Sequence, residues 1–233
     1  GIGQGLALGT NVNNNITIRE ISFFVCGFNF YMSGVPGSAC SVISFREGTT
    51  EHVSVRLTSS ALLTFTRNGT VLGTSSGAVP FKVWNHIEIK SSIHDTAGTY
   101  EVRINGATVI SGSGADTKNG GTGLVNLVVL TQDNNASAQK WVDDFYVLDS
   151  NPPLNDFIGV QKIFLIRTAK PGTYSEFTPA GLPQNFANVN PSNTVYPDLM
   201  DSTFNYDATG SHIDSFDMQN IAVSGSINAV QAV

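Results

Sequence analysis

VWNHIEIKSS (83–92) and KWVDDFYVLD (140–149), with TYEVRINGATVI (99–110) between them, decide the fold of this chain. Bulky apolar residues sit among polar ones in short runs, as in strands that turn one face to a core. Trp84, Ile87 and Ile89 give the first run its bulk, and Val102, Ile104 and Val109 flank the dipeptide Asn105-Gly106. Asn-Gly accepts the two positive φ values of a type I′ turn, so 99–110 reads as a hairpin. Together the three stretches read as the closing half of a β-sandwich.

The same pattern continues outward. ISFFVCGFNFYM (21–32) is expected to be a long strand with Phe24, Cys26, Phe28 and Phe30 on one face. A Pro/Gly turn at 33–39 precedes strands at 40–47, 52–59 and 62–69. Asn68-Gly69 then turns the chain into a partner strand at 70–76. GSGADTKNGGTG (112–123) reads as a long loop, and LVNLVVLTQ (124–132), apolar on both faces, as a central strand. Regularly spaced strands with turn signals between them are the pattern of a sandwich. Asn151-Pro152-Pro153 is a stiff linker closing a first unit, residues 1–150. Residues 151–233 read as a smaller, irregular β-rich region. It holds a strand at 158–169, a Pro- and Asn-rich stretch at 177–206, and renewed strand character at 211–233. The fold class expected is all-β: an antiparallel sandwich followed by a C-terminal segment that anchors to a partner.

Composition supports this and excludes several functions. Charged residues make up 13% of the chain, against about 25% in an average globular protein. Helices would need periodic runs of Glu, Lys, Arg and Leu, and none is present. A net charge of −6 without Lys/Arg clusters argues against a nucleic-acid surface. No apolar run reaches the roughly 18–20 residues of a membrane span. The chain opens on Gly1 without a signal segment and stops in the strand-like SINAVQAV (226–233). A processed or trimmed start and a continuing native polypeptide are expected. Cys26 and Cys40 fall on neighbouring expected strands with apolar or small flanks. Buried free thiols are the expectation, a disulfide the alternative.

With those residues in view, 21–149 resembles the concanavalin A-like lectin/glucanase (laminin G-like) jelly roll. The resemblance rests on WNHIEIK (84–90), TYEVRING (99–106) and WVDDFYVLD (141–149). NDFIGVQKI (155–163), EFTPAG (176–181) and HIDSFDM (212–218) are similar to a region that follows this domain in many tailed-phage structural proteins. The resemblance implies a virion component: a capsid decoration (cement) subunit, or part of a tail or fibre. In other lineages the same sandwich binds sugars or cleaves glucans, so the site has to decide the function.

Retaining glucanases on this fold carry E-x-D-x-x-E on one strand face, because their two carboxylates must stand about 5–5.5 Å apart. The nearest match here is Glu88-Ile89-Lys90, where Lys90 replaces the middle carboxylate and the third is missing. Asp143 and Asp144 are adjacent, and neighbouring strand residues point to opposite faces. Lyases on related jelly rolls use Arg, His, Tyr and Gln, for which His86, His94, Tyr100 and Arg103 are candidates. His86, Glu88 and Trp84 share one strand face, and a polar strip on a half-exposed sheet explains them equally well. No G-x-S-x-G elbow occurs, and His52, His86, His94 and His212 lack the spacing of zinc ligands. No cofactor is expected. DTKNGG (116–121) and QDNN (132–135) offer oxygens to calcium, with plain turn formation as the alternative.

Trp84 and Trp141 are the candidates for stacking on a glycan, although both stand at strand starts, where core packing is the expected use. Tyr174, Phe177, Phe186, Tyr196, Phe204 and Phe216 enrich an irregular region in aromatics, which suits contacts with a partner chain. The sequence thus favours a non-enzymatic phage virion protein, a capsid decoration subunit at the particle surface. Its expected partners are the major capsid protein or other virion proteins, with copies of itself in a homo-oligomer. A carbohydrate- or receptor-binding module of a tail fibre is the first rival, and a secreted glycan-active enzyme the second.

Overall fold

A computed structural model describes residues 6, 7, 12–132, 139–162, 168–180, 204–208, 210 and 212–218. The chain forms two compact units, Gly1–Ile163 and Phe164–Val233. The first extends past the linker expected to close it, and residues 154–161 lie against its sheet.

The first unit is a two-sheet antiparallel sandwich of jelly-roll type. Its front sheet is ordered β1 (Leu6–Ala7), β12 (Lys140–Leu148), β3 (Phe23–Met32), β8 (Trp84–Ser92), β9 (Gly98–Ile104) and β10 (Ala107–Ala115). Its back sheet is ordered β2 (Val12–Ile21), β11 (Val125–Gln132), β4 (Cys40–Glu47), β5 (Thr50–Leu57), β6 (Leu62–Arg67) and β7 (Thr70–Ala78). All pairings in both sheets are antiparallel. Both Asn-Gly turns occur where the sequence puts them: Asn68 and Gly69 have φ of 43° and 84°, Asn105 and Gly106 of 51° and 82°. β11 lies between β2 and β4, the interior position its apolar composition demands.

Alternation along β3 buries Phe24, Cys26, Phe28, Phe30 and Met32 completely against the back sheet. Two ring pairs join the sheets: Phe24 on Phe45, centroids 3.9 Å apart, and Phe65 on Tyr100 at 4.6 Å. Each such side chain contributes about 1.5–3 kcal/mol through burial, so this layer holds the sandwich together. Cys26 and Cys40 are free and buried, and they belong to opposite sheets rather than neighbouring strands. Burial raises the Cys26 thiol pKa well above its ordinary value.

The long strand expected at 21–32 is β3, which starts at Phe23 because Ser22 separates it from β2, a strand the sequence reading did not expect. Two expectations change. The loop expected at 112–123 begins later, because β10 runs on to Ala115. Within 158–169, residues 158–162 form no strand. Gly159 there has φ of 70°, and its N–H leaves for the Glu88 carboxylate instead of a ladder. The next described strand is β13 (Thr168–Ser175).

In the second unit β13 pairs with β16 (Asp214–Met218), and β14 (Thr178–Ala180) with β15 (Phe204–Tyr206), both antiparallel. Residues 181–200 and 219–233 lie outside the described residues, so Phe186 and Tyr196 do as well.

Candidate functional site

The outer face of the front sheet carries the side chains that the core does not use. On β8, Ile87 and Ile89 face inward. Trp84, His86, Glu88 and Lys90 are therefore set on the opposite face by alternation. Register then places Trp141 of β12 beside Tyr31 of β3, and Tyr31 beside Trp84 of β8. The ring centroids are 5.3 Å apart between Trp141 and Tyr31, and 5.5 Å between Tyr31 and Trp84. Interplanar angles of 75° and 50° make the row a corrugated ridge rather than one plane. Trp84 is 42% exposed and offers the ridge's free ring, and Phe81 and Val83 just before it are exposed too.

Core packing was the expected use of both tryptophans, and the structure corrects it. Trp84 lies an odd number of residues from Ile87 and Ile89, and Trp141 adjoins the buried Val142. Parity alone turns both outward.

Two residues further along each strand, the ridge gives way to a polar rung. His86 Nδ1 lies 3.0 Å from Asn29 Oδ1, and Asn29 Nδ2 donates to Asp144 Oδ2 at 2.8 Å. Because the amide presents its oxygen to the ring, Nδ1 is the donor and Nε2 of a neutral imidazole carries a lone pair. Nε2 finds no hydrogen-bond partner among the described residues, although His86 is only 3% exposed. Burial pushes the His86 pKa down. The Glu88 carboxylate, the Gly159 backbone and Asp144 act in the opposite direction.

Asp143 and Asp144 were expected on opposite faces. A bulge changes that: Asp144 has φ of 51° and donates its N–H to Asp143 Oδ1, so the strand's alternation skips a residue. Asp144 reaches Asn29 on the outer face as a result.

The third rung holds Glu88, 1% exposed, with Tyr146 on one side and Arg103 on the other. Tyr146 lies flat over Gly27, where a Cβ would come within 2.2 Å of the ring. Its hydroxyl donates to Glu88 Oε1 at 2.9 Å. Burial, and then the adjacent carboxylate, raise the tyrosine pKa far above its ordinary value.

A strap, residues 154–161, covers this end of the face. Gly159 N–H donates to Glu88 Oε1 at 2.8 Å. The Phe157 ring sits 3.8 Å from the Arg103 guanidinium and 4.5 Å from Lys90 Nζ. Asp156 pairs with Lys90 at 2.9 Å, which holds its carboxyl below the ordinary range. The polar strip is thus buried, where a half-exposed sheet was expected. No sequence signal near Glu88 announces the strap, because its residues lie some seventy positions away.

The remaining candidates disperse. His94 is exposed and its Nδ1 accepts the N–H groups of Thr96 and Ala97, so it closes a turn. Tyr100 is in the core and donates to the Leu72 carbonyl. Of the loop expected to suit calcium, Asp116 pairs with Arg67 at 3.1 Å, and Asn119 donates to the Glu51 carbonyl and to His52. Residues 133–135 lie outside the described residues. In the second unit Tyr174 is 49% exposed, Phe177 and Phe216 are half-buried, and Phe204 belongs to β15.

No family model and no curated protein matches this sequence. Among solved structures the chain is similar to a sialidase, at 11% identity and a TM-score of 0.45, over 60% of this chain. It spans only 14% of that sialidase's length. It is similar to the alginate lyase Aly36B at 15% identity and 0.46, over 67% of this chain and 81% of that one. The carbohydrate-binding module CBM66 from Bacillus subtilis matches at 10% identity and 0.43, over 62% and 91%. Likeness at this level says nothing about what the chain binds.

Proposed function

We propose that the first unit is a non-catalytic carbohydrate-binding module that holds a glycan against the outer face of its front sheet. The carrying observation is the ridge Trp141–Tyr31–Trp84: three aromatics in register on adjacent strands, ending in a tryptophan ring open to solvent. Exposed aromatic surface of this kind marks a binding surface. A ring face suits the apolar face of a sugar, and the polar rung beside it suits hydroxyls. The three strands span about 10 Å, enough for the ridge to flank one sugar while the next lies along β8. A non-catalytic reading is supported by Glu88, whose Oε1 is committed to Tyr146 and Gly159, and by Lys90 at the position of a glucanase carboxylate.

In the phage setting that the sequence resemblance implies, this reading makes the chain a receptor-binding part of a tail fibre before a capsid cement. A second reading, attachment to a particle through the second unit, is supported by Tyr174 and Ile213, both about half exposed. A glycan array on the wild-type chain and on Trp84→Ala tests the first reading: selective hits that Trp84→Ala loses are expected. An array without hits, or hits indifferent to Trp84, would refute it. Binding to assembled particles that Tyr174→Ala weakens and Trp84→Ala does not would favour the second.

A further inference from the structure

Among the described residues, the strap lies over a buried group on this face that is left without a partner. His86 Nε2 holds a lone pair with nothing to accept, 4.0 Å from Glu88 Oε1, itself an acceptor. Two acceptors side by side call for two donors. Glu88 Oε1 takes one donor from the sheet, the Tyr146 hydroxyl, and one from the strap, the Gly159 N–H, so only the second would leave with the strap. His86 Nε2 has no donor at all among the described residues. Two adjacent hydroxyls on a sugar ring are a pair of donors at about this separation.

The charges nearby narrow the ligand. Lys90 and Arg103 would be uncovered with the strap, but Glu101 already pairs with Arg103 at 2.8 Å and stands opposite Lys90 in register. Burial works to raise the Glu101 pKa, and the Thr108 hydroxyl, then Arg103 and then Lys90 outweigh it and hold the carboxyl below its ordinary range. Once the strap is lifted, Lys90 and Arg103 stand against Glu101 and Glu88, two cations against two carboxylates, so this cluster offers no net charge to an acidic ligand. The imidazole lone pair and the Glu88 oxygen accept from a neutral one.

The strap's attachments include one ion pair, one ring on two cations and the Gly159 hydrogen bonds, while Val160 is 69% exposed and Asp156 mostly so. Gly159 has φ of 70° with open space where a Cβ would stand. From these observations we infer that His86 Nε2 and Glu88 Oε1 form a second subsite, for the vicinal hydroxyls of a neutral sugar, and that residues 154–161 occupy it until a ligand displaces them. The inference extends the proposed glycan site: the subsite lies about 7–13 Å along β8 from Trp84, within one short oligosaccharide.

The experiment uses the full chain with Asp156→Asn or Phe157→Ala to loosen the strap. Asp156 is a surface residue, so its variant folds even if Phe157→Ala does not. Methyl α-mannopyranoside, which carries a cis-diol, is titrated at high concentration while the His86 ring nitrogens are followed by NMR. Saturable movement of the Nε2 signal is expected, with apparent affinity about three- to tenfold tighter in the loosened variants than in wild type. Galacturonic acid should produce no such gain, and His86→Phe should abolish it. Loosened, folded variants whose Nε2 signal ignores the neutral sugar, or that gain only for galacturonic acid, would overturn the subsite. Trp84→Ala separates this from the ridge: loss of array binding without any strap effect sinks the subsite alone. A strap effect that is present while array binding is indifferent to Trp84→Ala sinks the ridge alone.

Discussion

The outer faces of the two sheets are built alike and finished differently. On the back sheet, Ser44, Ser54 and Thr66 stand in register across β4, β5 and β6, all buried under their neighbours. Ser54 bonds to both Thr66 at 2.7 Å and Glu51 at 2.8 Å, while Arg46 reaches Ser44 and Glu51. Beside them His52 accepts from Asn119 N–H at Nδ1 and meets Glu47 at Nε2, and Glu47 takes the N–H groups of Thr122 and Gly123. Every member of that strip has a partner. The front sheet instead leaves an open tryptophan and a buried lone pair. Elsewhere in the back sheet Asn14 Nδ2 and Thr131 Oγ1 are buried without a partner among the described residues, so the contrast is with this strip. A strip that closes its own hydrogen bonds serves the fold. One that leaves donors and acceptors unmatched is the place for a ligand.

The comparison predicts effects that separate stability from binding. His52→Ala should lower stability the most, by about 2–3 kcal/mol, since it orphans Asn119 N–H and removes a partner from Glu47. Denaturant unfolding would measure this, with glycan affinity unchanged at temperatures where the variant is folded. Trp84→Ala should do the reverse, weakening glycan binding about tenfold and leaving the melting curve in place. If Trp84→Ala unfolds the chain and His52→Ala abolishes binding, the two faces have been assigned the wrong way round. Tyr146→Phe should cost about 1 kcal/mol by leaving Glu88 one donor short, and it should loosen the strap, visible as faster hydrogen exchange at Gly159.

The smallest effect concerns pH. Burial depresses the pKa of both His52 and His86 in the folded state. The unfolded chain then binds more protons than the folded one below the ordinary histidine pKa of about 6.5. Stability from these groups is complete above that pH and falls as the pH drops through and below it. Glu47, depressed chiefly by the Thr122 hydroxyl, adds a further loss in the carboxylate range. His52 should dominate the histidine part, because its protonation breaks the Asn119 bond, whereas protonated His86 would gain a donor facing Glu88. Urea midpoints at pH 7.5 and 5.5 for wild type, His52→Ala and His86→Phe would show it. A larger flattening by His86→Phe would contradict the ranking.

The sandwich was legible in the sequence wherever its information is local. Asn68-Gly69 and Asn105-Gly106 carry their turn type in two residues, and strands near 40–47, 84–92 and 140–148 show their own alternation. β2 was missed because NVNNNITIRE is mostly polar: it is an edge strand that sends only residues such as Ile16 and Ile18 toward the core. The site was legible in pieces. Trp84, Trp141, His86 and Glu88 could be singled out, but their union depends on β3 lying between β12 and β8, three strands distant in sequence. Tyr31, Asn29 and Tyr146 join the site only through that register. The bulge at Asp144 hides it further, because a residue with positive φ defeats simple alternation.

One consequence concerns force. The strap is also the tether: its last residues run directly into Phe164, where the second unit begins. A load between the two units reaches Phe157 and Gly159 before it reaches any sheet. Ladder bonds along β3 and β8 share a load across many parallel links, while the strap's few attachments meet it one after another and peel. Traction on the chain past residue 162 would thus bare the His86–Glu88 pair before it strained the sandwich.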